Sequence, residues 1–102
     1  MKVFLDDCRP TPDGWVRTYT VDQTLILLAS RQVKAISLDN DLGEDQKEGY
    51  KVLDELEEMV YYDPTFPIPE MAVHSSNASR VQYMKQVIAK LEAIRQQQME
   101  NQ

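Results

Sequence analysis

A chain of 102 residues has room for one hydrophobic core, so a single domain is expected over residues 1–102. Its 42% hydrophobic content is ordinary for a globular protein, and its longest apolar run, Leu25-Ile26-Leu27-Leu28-Ala29, falls far short of a membrane span before Ser30-Arg31 interrupts it. The formal net charge of −6 argues against an extended nucleic-acid surface, which needs a basic face, but not against a small phosphate ligand beside a divalent cation. The first residues already have a strand-like pattern rather than that of a signal peptide, and Cys8 is the one cysteine, so a cytoplasmic setting without an internal disulfide is expected.

Residues 2–6 form a short apolar run with Val3 and Phe4, bounded by Asp6-Asp7, and predict a buried strand. Residues 8–15 hold Pro10, Pro12 and Gly14, which exclude a long helix and leave a loop. Val16 to Tyr19 is β-favouring. Thr20 and Gln23 stand at capping-box spacing, opening a helix to about Gln32 with Leu25, Leu28 and Ala29 inward. Val33 to Leu38 predicts a strand buried on both faces.

After a polar turn at 43–48, Val52, Leu53, Leu56, Met59 and Val60 make one stripe of a helix from about Glu48 to Tyr62, which Pro64 stops. A short strand from Glu70 or Met71 to Val73 precedes a last helix capped by Asn77 or Ser79, with Val81, Met84, Ile88 and Leu91 inward. The polar residues 96–102 are expected to fray. Strands alternating with helices predict a three-layer α/β fold with a mainly parallel four-stranded sheet. The connection between the first two strands is short for a helical crossover. Either its helix is reduced to a turn, or the second strand is an antiparallel edge.

Three apolar runs end in side chains with chemistry: Asp6-Asp7, Asp39-Asn40-Asp41, and His74-Ser75-Ser76-Asn77. In open α/β sheets ligands bind beyond the carboxyl ends of the strands, which gathers these residues in one cleft. Crowded carboxylates stay ionised together only when a cation bridges them, and hard oxygen donors suit Mg²⁺ or Mn²⁺. Asp6, Asp7, Asp39 and Asp41 are therefore candidate metal ligands, with turn capping as the plainer role for any one of them. His74 is the chain's one histidine and a candidate general acid or base near neutral pH. Ser75, Asn77 and the amides opening the last helix are candidate phosphate binders, though they serve equally as helix caps. Arg9 and Arg80 are candidate bidentate phosphate clamps. Cys8 lies beside acids that disfavour a thiolate. Trp15 is either a base-stacking platform or a plug over a loop.

These motifs carry a resemblance. Asp6-Asp7 after the first strand, Asp39 after the third with Leu42 beyond it, and Gly49 opening a helix resemble the receiver domain of response regulators. That likeness implies a receiver or flavodoxin-like fold in which Asp6, Asp7 and Asp39 hold Mg²⁺, with Asp39 at the phospho-acceptor position and Ser75 where receivers place a Ser or Thr. The chain departs from the pattern in lacking the first helix, the fifth strand and the lysine at that strand's end, and in adding Asp41 and His74. With Leu5-Asp6-Asp7-Cys8-Arg9-Pro10-Thr11-Pro12-Asp13-Gly14-Trp15, Leu38-Asp39-Asn40-Asp41-Leu42-Gly43 and His74-Ser75-Ser76-Asn77, it is similar to the narrower group of cyclic-phosphate-processing receiver-like proteins. The resemblance implies handling of 2′,3′-cyclic phosphate ends of RNA or nucleotides. The expectation is a metal-dependent phosphoesterase or phosphoryl-transfer protein with Asp39 and His74 as its catalytic residues. The competing expectation is a non-catalytic, degenerate receiver-like module that binds a phosphorylated ligand or a protein partner.

Overall fold

The computed structural model describes residues 1–101, within which no helix is long and apolar enough to cross a membrane. Four strands, β1 (Lys2–Leu5), β2 (Val16–Thr18), β3 (Ala35–Leu38) and β4 (Glu70–Val73), alternate with three helices, α1 (Val21–Ala29), α2 (Tyr50–Tyr62) and α3 (Ala78–Glu100). The strands form one sheet in the order β2-β1-β3-β4, and every pair is parallel. The expected α/β fold is present, with no helix between β1 and β2 and no strand after β4 among the described residues. Of the two alternatives for the first connection, the structure takes the parallel strand with the helix removed. β1 is only four residues long, so the loop over residues 6–15 can return its length without a helix.

The core lies on one side of the sheet. Val3 and Leu5 of β1 and Ile36 and Leu38 of β3 share a cluster with Val21 and Leu28 of α1, Val52, Leu53, Leu56 and Val60 of α2, and Met84, Val87 and Leu91 of α3. α2 packs against both α1 and α3, so the three helices of the described residues form a single layer on one side of the sheet. Handedness explains why. The β2-α1-β3 and β3-α2-β4 connections advance in the same direction across the sheet, and right-handed crossovers put both helices on the same face. The step from β1 to β2 runs the other way. A helix there would have covered the opposite face, and the short loop leaves that face without one.

Local chemistry sets the helix ends. The Thr20 hydroxyl accepts from the Gln23 N–H, while the Gln23 side chain accepts from the Tyr19 N–H, one residue earlier than in the usual capping box. Asn77 caps α3 by accepting from the Arg80 N–H. Within α1 the inward residues are Val21, Thr24 and Leu28, with Leu25 partly buried and Ala29 exposed. Thr24 is buried because its hydroxyl meets that of Thr18 at 2.7 Å. In α3 the inward stripe shifts by one position, with Val87 in the core, Ile88 at its margin and Val81 outside it.

The last helix runs beyond the apolar pattern that marks it in the sequence. α3 continues to Glu100 rather than fraying after Ile94, while Gln102 lies outside the described residues. The α2–β4 loop explains the extra turns. Its carbonyls at Pro64 and Phe66 accept from the Gln98 amide, and the Ile68 carbonyl accepts from Arg95 Nε. A polar stretch with no apolar pattern is thus held by hydrogen bonds to a proline-rich loop whose carbonyls lack ladder partners.

Candidate phosphate and metal site

Asp6, Asp39 and His74 each follow the last residue of a strand, and each is still pinned by the sheet. Asp6 N–H donates to the Thr18 carbonyl, Asp39 N–H to the Leu5 carbonyl and His74 N–H to the Leu38 carbonyl, at 3.1, 2.9 and 3.0 Å. Alternation then fixes their direction. Val3, Leu5, Ile36 and Leu38 face the helices, so Phe4, Asp6, Ser37 and Asp39 face the opposite side. The site therefore sits at the carboxyl end of β1, β3 and β4, on the face that no helix covers.

One carboxylate oxygen from each of Asp6, Asp7 and Asp39 lies within 4.8 Å of the others. Asp6 and Asp39 are buried and Asp7 is exposed. Asp6 is the most engaged of the three. Its Oδ1 accepts from the backbone N–H groups of Cys8 and Arg9, at 2.7 and 2.9 Å. Its Oδ2 accepts from the Arg9 guanidinium at 2.9 Å and lies 3.0 Å from His74 Nε2. Burial alone would raise its pKa, but the backbone donors of Cys8 and Arg9, the guanidinium and the imidazole outweigh it and hold the carboxyl at about 2. Arg9 also reaches Asp39 Oδ2 at 3.4 Å, so its guanidinium bridges two of the three carboxylates.

His74 is held on three sides. Its Nδ1 is 2.7 Å from Ser37 Oγ, its Nε2 meets Asp6, and its ring stacks on Phe4 with centroids 4.4 Å apart and planes at 3°. An ionised Asp6 favours the tautomer with a proton on Nε2, which leaves Nδ1 to accept from the Ser37 hydroxyl. Neither Ser37 nor Phe4 belongs to the three strand-terminal motifs. Their signal was strand parity, since both share the outward phase of Asp6 and Asp39.

Asn40, within the Asp39-Asn40-Asp41 motif, has a structural role that its position in the sequence does not display. It is fully buried, its side-chain oxygen accepts from the Tyr50 N–H at the start of α2, and its amide donates to Asp41 and Glu48. Its carbonyl also accepts from the Gly49 N–H at 2.7 Å. Gly49 stands so close to the chain after β3 that a Cβ there would overlap the Asp39 carbonyl oxygen. This pair fixes how β3 hands over to α2 and so where Asp39 stands.

Other candidates lie elsewhere. Asp41, expected as a fourth metal ligand, is not part of the carboxylate cluster; its oxygens accept from the side chains of Asn40 and Asn77, tying the loop after β3 to the start of α3. Arg80, expected as a phosphate clamp, pairs with Glu48 at 3.3 Å and lies over the Tyr50 ring at 4.7 Å. Asn77 is committed to capping and to Asp41, while the Ser75 hydroxyl accepts from the Asn77 N–H and keeps its own proton free to donate. Of the two arginines, Arg9 alone stands at the cluster.

A parallel α/β sheet with an acidic pair after its first strand and an aspartate after its third defines a receiver-like protein. The comparison with protein families is more specific: the model described as "Cyclic-phosphate processing Receiver domain" matches residues 1–90, and the chain belongs to that family. No curated protein and no solved structure matches the chain.

Proposed function

We propose that the chain is a divalent-metal-dependent phosphoesterase that opens a 2′,3′-cyclic phosphate at the end of an RNA or on a nucleotide. The observation that carries this reading is the meeting of His74 with the carboxylate cluster through Asp6, at 3.0 Å. A general acid stands directly beside hard oxygen donors. The three carboxylates suit Mg²⁺ or Mn²⁺ in donor type and spacing, with Asp6, Asp7 and Asp39 as the protein ligands. When bound, such an ion polarises a phosphoryl oxygen and makes water more acidic.

The chain's own residues supply the rest. Arg9, whose side chain is 45% exposed, can swing from the carboxylates onto a phosphate oxygen, leaving its place to the cation. Ser75 donates its free hydroxyl proton to the same phosphate. Water attacks phosphorus and one ribose P–O bond breaks. The departing oxygen takes a proton from Nε2 of His74 in the form protonated on both ring nitrogens, whose Nδ1–H then donates to Ser37 Oγ. The ring is left neutral, exchanges its Asp6 partner for the leaving group while Ser37 and Phe4 hold it, and regains a proton from solvent, to which the attacking water loses its own.

A second reading has an observation of its own. Arg9 already balances Asp6 and Asp39 within the chain, as befits a non-catalytic module that binds a phosphorylated ligand. Incubation of the protein with a nucleoside 2′,3′-cyclic phosphate, followed by ³¹P NMR, separates the two. Ring opening that needs Mg²⁺ or Mn²⁺ and is lost in Asp39→Asn and His74→Ala supports the enzyme. Turnover that survives both substitutions places the activity elsewhere. Binding without turnover in the presence of metal favours the module.

A further inference from the structure

The sheet face without helices is not bare near the site. Phe4 is only 7% exposed there, because His74 stacks on it, Trp15 meets it edge-on at 6.4 Å and the Arg17 guanidinium lies 5.6 Å from its ring centroid. Lys2 Nζ is 5.2 Å from the Trp15 ring centroid, and Arg17 also lies over exposed Tyr19. Arg9, Arg31, Arg80 and Arg95 are all ion-paired, whereas neither Arg17 nor Lys2 has a carboxylate partner among the described residues. Arg17 is held in place by Thr11 Oγ1 and the Asp6 carbonyl, so its charge is fixed beside the cluster rather than free in solvent. Beyond Phe4 the floor is low, with Ser37 and Ala72 in register across β3 and β4.

Cations without carboxylate partners, laid over the partly exposed Trp15 ring and the exposed Tyr19 ring, match a single-stranded nucleic acid, whose phosphodiesters need the cations and whose bases stack on the rings. The path also has a direction. Val3 pairs with Val16, which places Trp15 beside Lys2, four residues before Asp6 along β1. That is on the order of 13 Å from the carboxylate row, a span of about one to two extended nucleotides.

Building on the phosphate site above, we infer that this face is a subsite for the penultimate nucleotide of a single-stranded RNA, the one before the nucleoside that carries the terminal phosphate, with its base on Trp15 and its phosphodiester at Arg17 and Lys2. The substrate is then an RNA end rather than a free mononucleotide. With only two cations involved, the salt dependence of this added binding is shallow, with a slope of about one to two. That agrees with a chain too acidic to hold a long backbone.

Trp15 is the chain's one tryptophan, so its fluorescence reports on the subsite directly. The full chain is titrated, by stopped flow with Mg²⁺ present, with three probes. They are a dinucleotide ending in a 2′,3′-cyclic phosphate, the matching mononucleoside 2′,3′-cyclic phosphate, and the dinucleotide with a free 3′-hydroxyl. The dinucleotide with the cyclic end is expected to quench Trp15 and bind about tenfold tighter than the mononucleotide. Trp15→Ala, with its fold checked by circular dichroism, brings the two affinities within about twofold, and Trp15→Phe keeps part of the gap. Equal affinities in the wild type, or a gap that survives Trp15→Ala, overturn the subsite and leave the phosphate site standing. If the 3′-hydroxyl probe binds as tightly as the cyclic one, still through Trp15, the subsite stands and the cyclic-phosphate reading falls. Failure of all three probes to bind overturns both.

Discussion

Asp6 receives donors from two backbone amides, a guanidinium and an imidazole, and it is completely buried. Its carboxyl is held near 2, below the ordinary 3.8, so the native state favours the ionised form. The stability this supplies is fully present above about pH 4 and is lost as the pH falls through the native value. It is on the order of 2 kcal/mol at neutral pH. Urea denaturation from pH 7 down to pH 2 is therefore expected to show a steep loss of stability below pH 4, and Asp6→Asn is expected to flatten that limb. Ser37→Ala tests a different contact. It removes the partner of His74 Nδ1 without touching the carboxylates. The expected results are a shifted imidazole ¹⁵N resonance, a cyclic-phosphate turnover lowered by roughly tenfold and metal binding within about twofold of wild type. An unchanged resonance would show that Ser37 does not set the histidine tautomer. Arg9→Gln removes the cation that bridges Asp6 and Asp39. Calorimetry is expected to show tighter Mn²⁺ binding together with weaker phosphate binding.

At the scale of elements, the hand-over from β3 to α2 governs the position of Asp39. Gly49 packs against the Asp39 carbonyl and donates to the Asn40 carbonyl, so Gly49→Ala forces the strand end and the helix apart. A loss of about 1–3 kcal/mol is expected in urea melts, or failure to fold. Wild-type stability with native metal binding would contradict the close approach seen here. The strands and helices were legible because hydrophobic periodicity and caps are local signals: the Val52, Leu53, Leu56, Val60 stripe and the Thr20 and Asn77 caps all appear in the structure. The end of α3 was not legible, because Gln98 is ordered by carbonyls more than thirty residues away in a loop whose path the sequence does not display. Arg80 was misplaced for a similar reason. Its candidacy as a phosphate clamp rests on residue type, whereas Glu48 and Tyr50, some thirty residues away, draw the side chain to α2.

For the molecule as a whole, the parallel order of the strands brings three distant segments to one end of the sheet, as the three strand-terminal motifs implied. Which face they share was hidden until the crossovers could be followed. Both right-handed connections advance the same way, the helices gather on one side, and the site opens on the other. That arrangement also explains why Asp41 leaves the cluster: Asp39 keeps the outward phase at the end of the β3 ladder, while Asp41 lies beyond it in a loop braced by Asn40 and Asn77. In the proposed function Asp6, Asp7, Asp39 and His74 act as one metal-dependent site on a cyclic phosphate. Its most direct test is the initial rate of nucleoside 2′,3′-cyclic phosphate opening as Mn²⁺ is titrated into metal-free protein. A rate that rises from background and saturates, and that falls at least about a hundredfold in Asp39→Asn and in His74→Ala, is the predicted result. A rate indifferent to Mn²⁺, or one that both variants retain, would contradict it.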